Sequence, residues 1–146
     1  MGTIRVLSGS ESNSFRFLLA SSSSAFLTSA SALLTSSSSV VLSFKKLSLV
    51  ITIKNEAKSI PTLLQSIEAQ SKLPDEVVIV DAGSTDQTVQ LIKRFQKRSK
   101  LKIRLFYKQG NRAVGRNFAV NKAVGQGIAV TDAGCVLDKH WLKRIT

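Results

Sequence analysis

The sequence predicts an α/β domain in which a parallel β-sheet is covered by helices on both faces. Three observations support this prediction. The composition changes sharply near Lys45 and Lys46, strand-like and helix-like segments alternate from Leu47 onward, and three of the four predicted strands are apolar runs. Parallel strands that are buried on both faces have this pattern, and helices connect them. With 146 residues, the chain is long enough for one ordinary domain.

The first two predicted strands flank a helix. The first strand, a nearly continuous apolar run, covers Leu47–Ile53, and the second covers Glu76–Val80. The helix between them has Pro61 in its first turn, where proline is tolerated. Its apolar residues recur every three or four positions, as on one face of a helix: Ile60, Leu63, Leu64 and Ile67.

The alternation continues after the second strand. Ser84 followed by Gln87 has the spacing of a capping box, which predicts the start of a second helix. A third helix is predicted over residues 112–124, because two glycines follow it. In the second helix, Val89, Ile92 and Phe95 are expected to face inward. In the third strand, every second position is occupied by one of Leu101, Ile103, Leu105 and Tyr107. The fourth strand is predicted over Ile128–Thr131.

Residues 1–46 differ from this pattern. They contain 15 serines and a single acidic residue, Glu11, and serine clusters repeatedly break their apolar runs. Such a segment has little with which to build a core, so we expect it to be disordered or removable and to lie outside the fold. Its Ser-rich, acid-poor composition resembles an organelle transit peptide, and an upstream extension of the gene model is the alternative. The domain proper is therefore predicted over residues 47–146.

The net charge of +12 is compatible with an anionic partner but does not identify one. Basic residues crowd into 93–104, along a predicted helix and strand, which is more typical of a solvated face than of a binding patch. No zinc-ligand spacing and no RNA-binding strand accompany them, so we expect no nucleic-acid partner. A diphosphate substrate or an anionic membrane surface would use this charge equally well. The single cysteine, Cys135, suits a reducing compartment, and we expect the protein in the cytoplasm or at the cytoplasmic face of a membrane.

Polar and acidic residues follow three of the predicted strands. They lie at 52–56, 81–86 and 132–134. Ligands of open α/β sheets bind outside the carboxyl ends of the strands, so this convergence predicts a ligand site. The sequence contains neither the Gly-x-Gly-x-x-Gly pattern of dinucleotide-binding domains nor a P-loop. A phosphoacceptor receiver domain would need acids after its first and third strands, and here they follow the second and fourth.

Four segments carry a specific resemblance. They read LVITIKNE at 49–56, EVVIVDAGSTD at 76–86, RAVGRN at 112–117 and IAVTDAG at 128–134. In order and spacing they resemble the landmarks of family 2 glycosyltransferases, which are inverting enzymes of the GT-A fold. The resemblance covers essentially all of 47–146 and implies the N-terminal, nucleotide-sugar-binding portion of a Rossmann-like GT-A sheet. It also implies a UDP- or GDP-sugar donor and a hydroxyl acceptor on a glycan, a lipid or another molecule.

The resemblance implies roles for several residues. Thr52 and Asp81 match positions that line the nucleoside pocket, although Asp81 is alternatively a residue that organises the following turn. Asp86 is a weaker substrate-binding candidate, because an acid in the first turn of a helix is often only a partner of the helix dipole. Arg112 and Arg116 would neutralise the diphosphate, since guanidinium groups suit phosphate oxygens. For both arginines a solvated helix face is the alternative.

A divalent metal is implied by the match of Asp132 to the first acid of the family's Asp-x-Asp motif. Mg²⁺ or Mn²⁺ would bridge this carboxylate and the phosphates of the donor. The sequence departs from the family pattern twice. Ala82 stands where many members have a second Asp, and Gly134 stands where the metal-binding acid usually is. Asp138, four residues further on, is a candidate substitute.

The implied reaction is a single displacement in which a carboxylate base deprotonates the acceptor hydroxyl and the nucleoside diphosphate leaves. In the family this base lies downstream of the Asp-x-Asp motif, so we expect it beyond Thr146 and predict donor affinity without turnover. An unprotected sheet edge is also expected. Two rival functions remain open. One is a degenerate, non-catalytic nucleotide-sugar-binding paralogue, and the other is a basic nucleic-acid or membrane-surface protein.

Overall fold

The parallel sheet expected from the sequence is present in the computed structural model, which describes residues 3–7, 16–20 and 45–146. Within these residues, six strands lie in the order β1-β2-β6-β3-β4-β5. Strands β2, β6, β3, β4 and β5 each run parallel to their neighbours, and β1 pairs with β2 antiparallel. The strands are β1 (Thr3–Leu7), β2 (Arg16–Ala20), β3 (Leu47–Ile53), β4 (Glu76–Asp81), β5 (Ile103–Tyr107) and β6 (Gly127–Asp132).

Helices cover both faces of this sheet. Helices α1 and α2 pack against each other and against one face, and α3 packs against β3 and β4 on the other. No helix among the described residues has the length and apolar character that crossing a membrane requires. The helices are α1 (Ile60–Glu68), α2 (Thr88–Arg98), α3 (Arg112–Lys122) and the short α4 (Trp141–Arg144).

Two apolar clusters form the core, one on each face of the sheet. Side chains of a strand point alternately to the two faces, so successive residues of β3 belong to different clusters. Leu49 and Ile51 pack on the face of α1 and α2, whereas Val50 packs on the face of α3. All three have no exposed surface, which explains why this strand reads as an apolar run.

The structure confirms the prediction for helix α1 and corrects the predicted start of helix α2. The four apolar residues assigned to the inner face of α1 are all buried, and Pro61 is in its first turn. The capping box predicted for α2 is wrong, because the helix begins at Thr88 and its N-cap residue, Gln87, makes no side-chain capping bond. The Asp86 carboxylate accepts the Thr88 N–H instead, at 3.0 Å. The Ser84 hydroxyl is committed to the preceding turn.

Strands β1 and β2 correct the expectation that residues 1–46 lie entirely outside the fold. Strand β2 pairs in parallel with β6, opposite Gly127 to Val130, and β1 continues the sheet. Strand β6 is therefore not an edge, and within the described residues the sheet ends at β1 and at β5. The physical reason is that an unpaired edge offers a row of N–H and C=O groups to any extended segment within reach, which local sequence patterns do not reveal. The expectation of disorder for the remainder of residues 1–44 lies outside the described residues.

A buried polar cluster closes the amino edge of the sheet. Glu76 at the start of β4 is 3% exposed, and it accepts hydrogen bonds from Ser48 Oγ and Val124 N, both at 2.6 Å. Arg104 of β5 adds an ion pair at 2.9 Å. Ser48 Oγ also accepts the Gly125 N–H at 2.8 Å. A depression of about 250 Å³ opens beside this cluster, at the end of the sheet opposite the one where parallel strands bind ligands.

Candidate functional site

Three of the predicted site residues, Thr52, Asp81 and Asp132, lie at the carboxyl ends of neighbouring strands. In the strand register, Asp132 of β6 lies beside Thr52 of β3. Asp81 of β4 lies beside Ile53 and Tyr107. Neighbouring strands are about 4.8 Å apart, so the ends of four strands form one continuous edge. The structure therefore supports the predicted convergence at the level of the backbone.

The side chains at this edge divide between the two faces of the sheet. By strand alternation, Thr52 and Asp132 fall on the face that α3 covers, together with Val50 and Val130. Asp81 falls on the face of α1 and α2, as does Ile79. The predicted set thus separates into one group next to α3 and another that faces the opposite helices.

A cleft of about 280 Å³ opens next to the amino end of α3. Gly115 allows this helix to approach β3 closely, because a Cβ atom at residue 115 would lie 3.4 Å from Thr52 Cγ2. The cleft includes two of the six predicted binding residues, Thr52 and Arg112. It is lined by Thr52, Ile53, Lys54, Glu56, Ala82, Gly110, Asn111, Arg112 and Gly115.

The amino end of α3 gives the cleft a positive character. Asn111 caps the helix, with its side-chain oxygen accepting the Val114 N–H at 2.9 Å. The first turn contains no acidic residue. Free N–H groups and the helix dipole at such an end favour an anion. Arg112 and Lys54 add two cationic side chains to the lining and Glu56 adds one acidic side chain, whose carboxylate accepts the Ser59 hydroxyl, so the balance is positive and the cleft is suited to phosphate groups.

Arg116 lies one turn further along α3 than Arg112, on the same side of the helix. Its guanidinium forms an ion pair with the Asp132 carboxylate, with 3.3 Å between Nη2 and Oδ1. Its Nε atom is buried and has no hydrogen-bond partner among the described residues. The structure thus brings Arg116 and Asp132 together, as two residues that the sequence assigned to the same site.

Asp81 does not line the cleft, in contrast to its predicted role in the nucleoside pocket. The side chain is buried, and its carboxylate accepts the Ser84 N–H at 3.1 Å and the Ser84 hydroxyl at 2.6 Å. These bonds hold the turn that contains Gly83, whose φ of +95° is in the left-handed region that favours glycine. The turn-organising alternative is therefore what the contacts support. The next residue, Ala82, is the one that lines the cleft.

Asp86 does not line the cleft either, and its side chain makes hydrogen bonds within the protein. One carboxylate oxygen accepts the Thr88 hydroxyl and N–H, and the other accepts the Ala57 N–H at 3.1 Å. Hydrogen bonds from Thr88 lower the pKa of Asp86, outweighing the desolvation that raises it. Both oxygens are occupied, so the predicted direct contact with substrate is not supported by this geometry.

A hydrogen-bonded clasp joins the loop after β3 to the loop after β4. Asn55 donates its N–H to Ser84 Oγ at 2.9 Å and accepts the Thr85 N–H at 2.8 Å. Its φ of +54° is tolerated by asparagine better than by most other residues. The Glu56 N–H donates to Thr88 Oγ1 at 2.8 Å. Two of the motifs found in the sequence therefore stabilise each other and fix one wall of the cleft.

The residues around Asp132 fit a divalent cation poorly, because the protein offers a single carboxylate there and Arg116 is already paired with it. The described residues contain no group of three or more His, Cys, Asp or Glu side chains that would hold a metal, so Mg²⁺ or Mn²⁺ at this position would depend on Asp132, water and the donor phosphates. Gly134 supplies no ligand. Asp138, the candidate substitute, is used elsewhere, since its carboxylate accepts the His140 N–H and pairs with Arg144 at 2.5 Å.

Several lining residues were missed by the sequence interpretation. Lys54 lay within the converging segment 52–56 but received no role, Asn111 was not assigned to the site, and Ala82 was noted only as a departure from the family pattern. Lys54 follows a strand end and Asn111 precedes a helix, and these are the positions at which sheet ligands and helix caps are found. These positional signals would have identified both residues.

The sequence profile of glycosyl transferase family 2 matches residues 48–146. The poly(ribitol-phosphate) beta-N-acetylglucosaminyltransferase TarS of Staphylococcus aureus is 34% identical over 101 residues, which are 67% of this chain and 18% of TarS. The glycosyltransferase alr2836 of Nostoc is 34% identical over 102 residues, or 68% of this chain and 31% of that protein. The chain thus spans less than a third of the length of these relatives.

Solved structures confirm the predicted GT-A class. A crystal structure of TarS in complex with UDP-GlcNAc superposes with a TM-score of 0.61 at 32% identity, covering 68% of this chain and 30% of that one. The mannosyltransferase PcManGT of Pyrobaculum calidifontis, in complex with GDP-Man and Mn²⁺, superposes with a TM-score of 0.59 at 29% identity. This match covers 64% of this chain and 29% of PcManGT.

Proposed function

The chain belongs to glycosyl transferase family 2, and we propose that it serves to transfer a sugar from a nucleotide-sugar donor to an acceptor hydroxyl. Residues 47–146 would bind the donor. The observation that carries this proposal is the cationic cleft at the carboxyl edge of the sheet, beside the amino end of α3. Such an edge is where α/β sheets bind their ligands, and such a helix end favours phosphate.

The donor is proposed to be a UDP- or GDP-sugar. TarS has been crystallised with UDP-GlcNAc and PcManGT with GDP-Man, and both superpose on this chain. In this cleft, Thr52 would contact the nucleoside, and Lys54 and Arg112 would contact the diphosphate. Arg116 and Asp132 lie beside the cleft, next to Thr52 in the strand register, and Arg116 would also contact the diphosphate. Asp81 and Asp86 are positioning residues in this proposal, because they act through the loops that they hold.

The chemistry that we propose is a single displacement with inversion at the anomeric carbon. The acceptor oxygen forms a bond to that carbon, its proton passes to a carboxylate base, and the bond to the nucleoside diphosphate breaks. Positive charge from Lys54 and Arg112 would stabilise the leaving diphosphate. The acceptor would be a hydroxyl of a glycan, a lipid or another molecule. We assign the base to none of the residues that line the cleft.

A non-catalytic nucleotide-sugar-binding protein is the second candidate. It is favoured by Ala82 and Gly134, since neither position carries the carboxylate that many family members have there. The two candidates differ in turnover and agree in donor affinity. Slow release of free sugar from UDP-GlcNAc or GDP-mannose, measured without added acceptor, would favour the transferase.

We also propose a location in the cytoplasm or at the cytoplasmic face of a membrane. Support for the membrane surface comes from α2, where Lys93, Arg94, Lys97 and Arg98 are all exposed and the helix contains no acidic residue. Anionic lipids attract such a surface. Co-sedimentation with vesicles of phosphatidylglycerol, compared with vesicles of phosphatidylcholine, tests this part. Equal recovery with both would contradict it.

Isothermal titration calorimetry with UDP and with GDP tests the donor site. Arg112→Gln should weaken binding of the preferred nucleotide about tenfold or more, as expected for the loss of one charge-assisted hydrogen bond. Arg94→Gln is the matched control, because Arg94 is an exposed arginine on the opposite face of the sheet. Equal affinities of the two variants would remove the cleft from consideration as the donor site.

A further inference from the structure

The pairing of Arg116 with Asp132 has a consequence for how the donor is held. We propose that the site binds the donor diphosphate without a divalent cation, and that Arg116, which lies beside the cleft through its pairing with Asp132 and is not part of the lining, supplies the positive charge which a metal would otherwise provide. This inference rests on the proposed function and deepens it. It concerns the family's expected metal position, for which the residues of this chain are unsuitable.

The charge around Asp132 is already balanced. The carboxylate has Arg116 as its ion-pair partner, and both side chains are partly exposed, at 30% and 36%. A divalent ion on the same carboxylate would lie beside a guanidinium, and two like charges at such short range repel each other. Binding the metal would therefore require Arg116 to leave, and only one protein carboxylate would be available to compensate.

Arg116 has unused capacity for hydrogen bonding. A guanidinium carries five N–H donors. In this structure its recorded partner is Asp132, at 3.3 Å, and Nε has no partner among the described residues. The carboxylate keeps the guanidinium at the sheet edge, next to Thr52 in the strand register. Because Nε is buried, the donors that suit the recognition of phosphate oxygens are those of the exposed part of this side chain, which is 36% exposed.

Gly134 is the position that determines this behaviour. It is exposed, and a Cβ atom built there has no other atom within 4 Å. A Cβ atom at this position therefore meets open space beyond its chain neighbours. An acid here would add a second carboxylate close to Asp132, which would shift the site toward cation binding. Gly134→Asp thus offers a gain-of-function test, and Gly134→Ala is its control.

The first experiment measures nucleotide affinity of the full chain by calorimetry, in EDTA and in millimolar Mn²⁺. We expect UDP or GDP to bind with the same dissociation constant in both, within about twofold. Arg116→Gln should weaken binding in EDTA about tenfold or more, and Arg116→Lys should recover part of the loss. Far-UV circular dichroism of each variant verifies that it is folded.

The second experiment measures Mn²⁺ directly by electron paramagnetic resonance in the presence of UDP. The Gly134→Asp variant should bind the ion and should bind UDP more tightly in Mn²⁺ than in EDTA. The wild type and Gly134→Ala should do neither. A Gly134→Asp variant that remains indifferent to Mn²⁺ would overturn the assignment of residue 134 as the determining position.

The outcomes separate this inference from the proposed function. Binding by the wild type that strengthens tenfold or more in Mn²⁺ would overturn the inference and leave the donor site in place. Unchanged affinity of Arg116→Gln in EDTA would also overturn it. The absence of UDP and GDP binding under both conditions would overturn the proposed function itself.

Discussion

Replacing Glu76 with alanine should destabilise the protein more than replacing any exposed acid. The Glu76 carboxylate is almost fully buried and accepts hydrogen bonds from Ser48 Oγ, Val124 N and Arg104 Nη1. In Glu76→Ala the Ser48 hydroxyl and the Val124 N–H lose their acceptor. A buried donor without a partner costs about 1–3 kcal/mol.

The expected loss is therefore about 3 kcal/mol in the free energy of unfolding, toward the lower end of the range for breaking a buried ion pair. Two features keep it from being larger. The Arg104 side chain is 37% exposed, so water can solvate its charge once the partner is gone. The depression beside the cluster also gives water access to the vacated space. A loss of this size is a large fraction of the typical stability of about 5–15 kcal/mol.

Urea denaturation followed by circular dichroism measures this loss, with Glu68→Ala as the control. Glu68 is an exposed acid whose recorded partner is the Ser99 hydroxyl, so its replacement should cost about 0.5 kcal/mol or less. If Glu76→Ala cost no more than the control, the argument from buried, unpaired donors would be refuted for this site.

Glu76 also predicts how stability depends on pH. Burial alone would raise the pKa of this carboxyl, but hydrogen bonds from Ser48 and Val124 and the pairing with Arg104 hold it below the ordinary value of 4.5. A pKa that is lower in the folded state contributes stability above the unfolded pKa and loses it as the pH falls through the folded pKa. The wild type should therefore lose stability below about pH 4.5, and Glu76→Gln should lose less over the same interval. Parallel acid profiles of the two proteins would contradict this assignment.

Three further substitutions test the packing and the loop clasp. Gly125→Ala would place its Cβ 2.6 Å from Ser48 Oγ and should lower the free energy of unfolding by about 1–3 kcal/mol, as measured by urea denaturation. Gly134→Ala is the control, because its Cβ meets open space and its effect should be nearly neutral. Equal losses of stability in the two variants would contradict the packing explanation. Asn55→Ala removes the acceptor of the Thr85 N–H at a positive φ, so it should lower the melting temperature and weaken UDP binding, whereas unchanged values for both would show that the clasp does not hold the cleft. Asp86→Asn removes a carboxylate whose pKa is lowered in the folded protein, so its stability deficit should be present at neutral pH and vanish in acid, and a deficit that persists in acid would contradict the linkage.

Local patterns were sufficient to predict most of the elements. The apolar runs of β3, β4 and β6 follow from burial on both faces, and the spacing of Ile60, Leu63, Leu64 and Ile67 follows from one inner helix face. Helix ends were predicted less well. The start of α2 was placed too early because Ser84, which has the spacing of a cap, is bound instead to Asp81. A side chain with two competing hydrogen-bond partners is not resolved by spacing alone.

The candidate site was predicted at the level of the sheet edge and only partly at the level of side chains. Thr52 and Arg112 line the cleft, and their contact with a donor stays a prediction. Asp81 and Asp86 lie at the same edge, but strand alternation and the loop clasp direct them into structural hydrogen bonds. Asp81 and Ala82 are adjacent, and neighbouring positions at a strand end face opposite sides of the sheet. An error of one residue in the predicted strand end therefore replaces the methyl group of Ala82 by the carboxylate of Asp81 in the predicted lining of the cleft.

The sequence by itself determined the fold class, the order of the elements from β3 onward and the family, because these follow from periodicity, burial and ordered motifs along the chain. Only the tertiary structure decided which polar residues are free to meet a ligand. That decision depends on contacts between residues distant along the chain, such as Asn55 with Thr85 and Arg116 with Asp132. The pairing of β2 with β6 is likewise a long-range event, since an edge becomes available only when the rest of the sheet has formed.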